Sequence, residues 1–313
     1  MRITLRLLDF FLIAKQGILK QGMLKRRSFL GLLFLSGCTL GSQSIRGEEL
    51  VIGTVSYGTG EDTITRYDRF EQYIEEKMRA FVTLEPAYNE SKALERIKAN
   101  AWALIFAPPG LAVIAITRYQ YTPMFPLLGT SNLRSVVVVK KESPHEDLKA
   151  LTGKSFAIGQ PGSATGYYFP IYNLYGLTLS ELVVCPTPKA VLEAIAQDKA
   201  EAGALSMEEF SALRPDLKPT EFRVLFTDPH KVPPGVVLIS PSVDLNLQES
   251  LRRTMADMPS QVTNDAGFLP AGEVPDYKYM ISVVERVRSI FPADQSQGGK
   301  SPLEQKPVRL FPS

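Results

Sequence analysis

Residues 155–167 read Ser155-Phe156-Ala157-Ile158-Gly159-Gln160-Pro161-Gly162-Ser163-Ala164-Thr165-Gly166-Tyr167. The apolar run Ser155 to Ile158 predicts a short strand. Two glycines and a proline break it, and a helical pattern from Ala164 to Leu174 follows. Glycines let the backbone turn tightly and leave its N–H groups uncovered. The first turn of a helix has unpaired N–H donors and about half a unit of positive charge. With the hydroxyls of Ser163 and Thr165 beside them, these groups form a seat for an anion that needs no lysine. The same residues also describe a plain helix start capped by Ser163. Both readings stand at this point.

Strand–helix units of this kind recur on either side. Leu50 to Val55 is apolar and β-branched, and Tyr67, Phe70 and Ile74 follow at helical spacing. Ser135 opens a second series, with strands over 136–140, 155–158 and 182–185. The pattern predicts an α/β protein of two lobes, each a mostly parallel sheet flanked by helices. Residues 48–134 with 236–291 form lobe 1, and 135–235 form lobe 2. The chain crosses near Arg134 and near Gly235, and a cleft between lobes is the default place for a ligand. The tail 292–313 is rich in Pro, Gly, Ser and Gln, which predicts disorder.

The chain has 313 residues, of which 44% are hydrophobic and 22% charged. That excludes whole-chain disorder, collagen and a polytopic membrane protein. The formal net charge is +2, yet residues 1–27 hold seven basic side chains against Asp9 alone. The remainder is mildly acidic, which argues against nucleic acid as a partner. Two His and two Cys give no material for a zinc or iron–sulfur site, so neither metal nor cofactor is expected. Gly153-Lys154-Ser155 ends like a phosphate-binding P-loop but has Leu148 where the first Gly belongs. There is no G-x-S-x-G elbow. His145, His230 and the pairs Glu75-Glu76 and Glu208-Glu209 read as solvated side chains, and Cys185 as a small buried hydrophobe. No catalytic residue is assigned.

Residues 23–38 place Lys25, Arg26 and Arg27 before the apolar run Phe29 to Leu35, then Ser36, Gly37 and Cys38. That is the order of an export signal, and the run is too short to span a bilayer, which takes about 20 apolar residues. The rival reading is a basic–apolar helix belonging to the fold. Leu35-Ser36-Gly37-Cys38 looks like a lipobox, and Arg26-Arg27-Ser28-Phe29-Leu30 resembles a twin-arginine signal. Residues 1–37 are therefore read as a signal segment, with Met23 an alternative start. Cys38 becomes the acylated first residue of a lipoprotein held in the cell envelope.

Three segments now carry a resemblance: Ser135-Val136-Val137-Val138-Val139-Lys140-Lys141-Glu142-Ser143-Pro144, then Asp147-Leu148-Lys149 with Gly153-Lys154-Ser155-Phe156-Ala157, then Gly162 to Pro170. In this order they resemble the phosphate/phosphite/phosphonate-binding family of ABC-transporter solute-binding proteins. The likeness is specific over 135–170 and looser from Leu50 to Ser289. It implies a type II periplasmic-binding-protein-like fold that closes on its ligand by a hinge. It also implies a monomer without enzymatic activity, a small anionic ligand, an ABC permease as membrane partner and a fitting role for a lipid anchor. The resemblance assigns Ser163, Ala164, Thr165, Gly166 and Tyr167 to the anion-cradling turn, Tyr88 to a tyrosine of the first lobe, and Glu208 to an acid that meets a ligand amine. Tyr57, at the end of the first strand, faces the cleft. Pro186-Thr187-Pro188 replaces a family Gly-Ser-His, Ala103 stands for an Asp, and Pro234-Gly235 follows Val232-Pro233 where an acid is usual. The alternatives are a ligand-sensing lipoprotein of the same fold, or a hydrolase using the Ser163 turn.

Overall fold

The computed structural model describes residues 49–57, 60–129, 132–291 and 306–311. The signal segment 1–37, Cys38 and residues 292–305 of the tail lie outside the described residues. The chain first forms β1 (Glu49–Val55), α1 (Gly60–Met78), β2 (Phe81–Ala87), α2 (Glu90–Lys98), β3 (Leu104–Ala107), α3 (Pro109–Tyr119) and β4 (Thr122–Pro126). Next come β5 (Ser135–Lys140), β6 (Ser155–Ile158), a π-helical turn (Ala164–Tyr168), α4 (Phe169–Asn173), β7 (Thr178–Leu179) and β8 (Glu181–Val184). α5 (Pro188–Ala196), β9 (Ala202–Ser206), α6 (Met207–Leu213) and β10 (Phe222–Thr227) complete this part. β11 (Val236–Ile239), α7 (Leu245–Ala256), α8 (Ser260–Ala266), α9 (Lys278–Ile290) and β12 (Val308–Arg309) end it.

Ten strands make two five-stranded sheets, ordered β2-β1-β3-β11-β4 and β10-β5-β9-β6-β8, and β7 and β12 form a separate two-stranded pair. In each five-stranded sheet, all strands run one way except β11 in the first and β5 in the second. Those two strands follow the crossings between sheets, which is why they enter reversed. The crossing segments run side by side: Val232 N–H donates to Leu133 O at 2.8 Å, and Leu127 N–H to Gly235 O at 2.9 Å. The Arg134 guanidinium donates to Asp228 O at 2.8 Å, fixing the second crossing to the first.

The period of two along β5 sets the layers. Val137 and Val139 enter one apolar cluster, and Val136 and Val138 enter another with Leu192 and Phe210 of α5 and α6. On the first sheet, Tyr67, Phe70 and Ile74 of α1 cover Leu50 and Ile52, and Phe70 meets the Phe106 ring edge-on at 5.2 Å. The largest cluster is shared by the two sheets: Ile105 and Leu111 belong to it together with Phe156, Ile158 and Tyr167. α9 seals it with Met280, Val283, Val284 and Val287, packing against both α3 and α4.

Several elements depart from the sequence pattern. α3, absent from the units read in the sequence, opens at Pro109, because proline at the first helical position loses no bond. The helix expected from Ala164 starts as a π turn. Tyr168 N–H bonds to Ser163 O at 3.1 Å, and Pro170 has no N–H to give Gly166 O, which takes Gly159 N–H instead at 2.8 Å. His145 is not solvated: it is 7% exposed, with Nε2 3.1 Å from Glu201. The disorder expected over 292–313 fails for 306–311, where β12 pairs antiparallel with β7 and Val308 and Leu310 are buried in the shared cluster. Two apolar side chains in an otherwise polar stretch suffice to dock it. Leu310→Asp should release this segment, cost about 2 kcal/mol of stability and open 306–311 to limited proteolysis. An unchanged melting curve and cleavage pattern would show that the segment contributes nothing to the fold.

Candidate functional site

The strands β6, β8 and β9 run parallel, so their carboxyl ends lie at one edge of the second sheet. A polar residue at or beyond the end of each of them caps a helical segment. Ser163 Oγ accepts Gly166 N–H at 3.0 Å, Thr187 Oγ1 accepts Ala190 N–H at 3.2 Å, and Ser206 Oγ accepts Glu209 N–H at 3.1 Å. In open α/β sheets this edge is where ligands bind. The first sheet brings its own carboxyl-end loops to it: Tyr57 follows β1, and Glu90 begins α2 behind its cap Asn89.

The halves meet closely here. A β-carbon on Gly110, at the start of α3, would lie 2.0 Å from Gly162 O, so only glycine allows the approach. Gly162 itself has φ +116°, a conformation that side chains rarely adopt. Ser91 N–H donates to Gln160 Oε1 at 3.1 Å across the same seam. Within it remains a cavity of about 10 Å³, room for roughly one water molecule, lined by Glu90, Ser163, Gly166, Cys185, Thr187 and Glu209 among others.

Glu90 is the central side chain of this seam. It is 4% exposed and accepts a hydrogen bond from the Tyr57 hydroxyl, and it lines the same cavity as Ser163. Burial raises its pKa to about 6, against the pull of the neighbouring hydroxyl groups, and the Glu209 carboxylate adds to the rise. Glu209 is held by Ser206 N–H at 2.8 Å and is likewise raised, chiefly by burial. The Tyr57 ring is 41% exposed, but burial of its hydroxyl end and the adjacent Glu90 push its pKa well up. Burial raises the Cys185 thiol to about 11, which makes it a poor nucleophile. Among the described residues, no lysine, arginine or histidine lines the cavity.

Tyr57, Ser163 and Gly166 are thus brought together. Ala164, Thr165 and Tyr167 are in the same turn but face inward: all three are buried, and Thr165 O accepts the Ser135 hydroxyl at 2.6 Å. Tyr88 is 56% exposed, and Glu208 lies on the exposed side of α6 while Glu209, one residue on, reaches the cavity. The reading of Glu209 as a solvated helix face is therefore corrected. Ser206-x-x-Glu209 is a capping box, which draws the glutamate back over the helix start; that spacing was the available signal. Glu90 had none beyond its place after a capping Asn.

Two α/β layers joined by two crossings, with polar side chains of both meeting at the strand ends, define a bilobal binding protein. Residues 52–278 match the family described as the periplasmic substrate-binding protein of ABC phosphonate transporters, and the chain belongs to that family. Its members bind and deliver solutes and are not enzymes. A binding-protein component of an ABC phosphonate transporter from Pseudomonas aeruginosa shares the fold at 14% identity, with 71% of this chain and 80% of that one covered and a TM-score of 0.59. A Xanthomonas citri protein solved with ATP is similar at 18% identity, 77% and 98% coverage and a TM-score of 0.63. PhnD1 of Prochlorococcus marinus, solved with methylphosphonate, is similar at 16% identity, 77% and 98% coverage and a TM-score of 0.61. Comparison with curated sequences gives no match. Among the described residues, no helix is long and apolar enough to cross a membrane.

The raised pKa of Glu90 has a sign. The folded state holds its proton up to about pH 6, the unfolded chain only to about 4.5, so stability is full below 4.5 and falls as pH rises through 6. The difference is worth about 2 kcal/mol. Glu90→Gln should match the wild type at pH 4.5 and exceed it by about 1–2 kcal/mol at pH 7.5, read from denaturant melts. Parallel curves for both proteins would mean that Glu90 is not desolvated.

Proposed function

We propose that the chain binds a small oxyanion of the phosphonate type between its two lobes and passes it to an ABC permease. The single observation behind this reading is the seam where the Ser163–Gly166 turn faces Tyr57 and Glu90 of the other lobe. The turn offers hydroxyl and backbone donors at a helix start, backed by the caps of α5 and α6. A ligand of a few heavy atoms fits such a place only when the Gly110–Gly162 contact opens by rotation about the two crossings. A lipid on Cys38 would hold the protein, as a monomer, beside the permease.

A thermal-shift series with methylphosphonate, phosphite, phosphate and carboxylates tests the reading. Ligand at 100 times its Kd raises stability by about 2.7 kcal/mol. Ser163→Ala removes a donor worth about 1.5–3 kcal/mol to a charged group and should weaken methylphosphonate binding roughly 10- to 100-fold. Equal affinity in a variant that still melts cooperatively would reduce the turn to a helix cap.

The anchor is tested separately. Cys38→Ala should move the protein from the membrane fraction to the soluble envelope fraction. Retention through a high-salt wash would point to another means of attachment.

A further inference from the structure

The oxyanion reading leaves one feature of the site unexplained, a buried carboxyl group set against the turn that would hold the anion. Glu90 accepts from Tyr57 and lines one cavity with Ser163 and Gly166, so its carboxyl group is fixed against the turn. The groups facing it are few. Tyr57 comes from the loop after β1, Glu209 from α6 and Cys185 from the segment after β8, while Gly110, Leu111 and Gly162 present only backbone or hydrocarbon. Glu209 is committed to Ser206 N–H. No cation in the lining offsets either carboxyl.

A carboxylate has only acceptor atoms, and so has a fully ionised oxyanion. Brought together in a dry site, the two repel by charge and leave oxygens facing oxygens. One proton between them turns the contact into a charge-assisted O–H···O⁻ bond, about twice the strength of a neutral one. We propose that Glu90 makes the site selective for oxyanions that still carry a proton, so that a hydrogen phosphonate is accepted and a sulfonate of the same shape and charge is refused. This rests on the oxyanion reading and names the ligand class within it. The proton arrives on the ligand at neutral pH. Below about pH 6 Glu90 carries its own proton and can donate to either ligand, so the selectivity fades.

Methylphosphonate monoanion and methanesulfonate make a matched pair, because both are tetrahedral, singly charged and methyl-bearing, and only the first has an O–H. Calorimetric titration of the full chain with each, at pH 7.0 and pH 5.0, tests the proposal. At pH 7.0 the wild type should prefer methylphosphonate by at least 100-fold, and at pH 5.0 methanesulfonate should gain at least tenfold. Glu90→Gln, whose amide donates as well as accepts, should shrink the pH 7.0 preference below tenfold and lose the pH dependence of methanesulfonate binding. If Glu90→Gln fails to fold, the wild-type preference and its collapse at pH 5.0 decide alone. Equal wild-type binding of both compounds, or a preference that survives in Glu90→Gln, would overturn the proposal and leave the oxyanion reading standing. No binding of either compound by either protein would overturn both.

Discussion

The approach of two backbones, Gly110 at the start of α3 and Gly162 in the turn after β6, governs how the rest of the protein is arranged. A β-carbon at Gly110 would stand 2.0 Å from Gly162 O, which holds the two sheets at a separation no other residue permits. Everything behind this contact follows from it. α3 comes near enough to the π turn for Leu111, Ile158 and Tyr167 to share one apolar cluster, and α9 can lie across both halves. A cluster common to both lobes means that separating them exposes hydrocarbon, at about 25 cal/mol for each Å². The opening proposed above would therefore be a rotation about the crossings that keeps the α3–α9–α4 side packed while the Gly110–Gly162 side parts.

The same contact explains the electrostatics. Glu90 lies on the seam because α2 begins there, and Gly162 brings the turn to its side chain: a β-carbon on Gly162 would meet Glu90 Cβ at 2.9 Å. An acid in so dry a place keeps its proton up to about pH 6, a cost near 2 kcal/mol at neutral pH. The capped starts of the π turn, α5 and α6 supply partial positive charge at the same edge, and they carry it as fixed dipoles. Fixed dipoles can hold one negative charge without a counter-ion. Two negative charges side by side in so dry a place repel, and in the proposed site this limits how Glu90 and an anionic ligand would share the seam.

Much of the fold was legible because its periods are clean. Val136 to Val139 alternate between two clusters, and Tyr67, Phe70 and Ile74 mark one helix face, so the alternation of strand and helix could be counted. The reversed direction of β5 and β11 was not, since strand direction depends on where the chain returns and leaves no local mark. α3 was hidden by Pro108-Pro109-Gly110, three residues that break structure on average but here start a helix and permit a close contact. β12 was hidden by the polar composition around Val308 and Leu310. Of the site, Ser163 and Gly166 were legible as a capped helix start, and Tyr57 as the end of a strand. Glu90 was not, because its importance lies in what the other half of the chain, some seventy residues on, sets against it.

The second crossing shows how motion can be confined to one side. Asp228 is fully buried and accepts from Asn173 Nδ2 at 2.6 Å and from His230 N–H at 2.7 Å, so α4 and the crossing are tied at one carboxylate. The Tyr279 ring of α9 stacks on His230 at 4.4 Å between centroids, and the Tyr277 hydroxyl donates to Pro234 O at 2.6 Å. These bonds hold α9 to the crossing segment rather than to the seam. At the seam the contacts between lobes are different in kind: a hydrogen bond from Ser91 to Gln160, Glu90 facing Ser163 across a small cavity, and two glycines in close contact. Hydrogen bonds of this sort exchange for water at a net cost of about 1 kcal/mol each. Parting the seam is thus far cheaper than unseating α9, and in the proposed function a ligand that supplies its own hydrogen bonds to Ser163, Tyr57 and Glu90 would replace what opening removes.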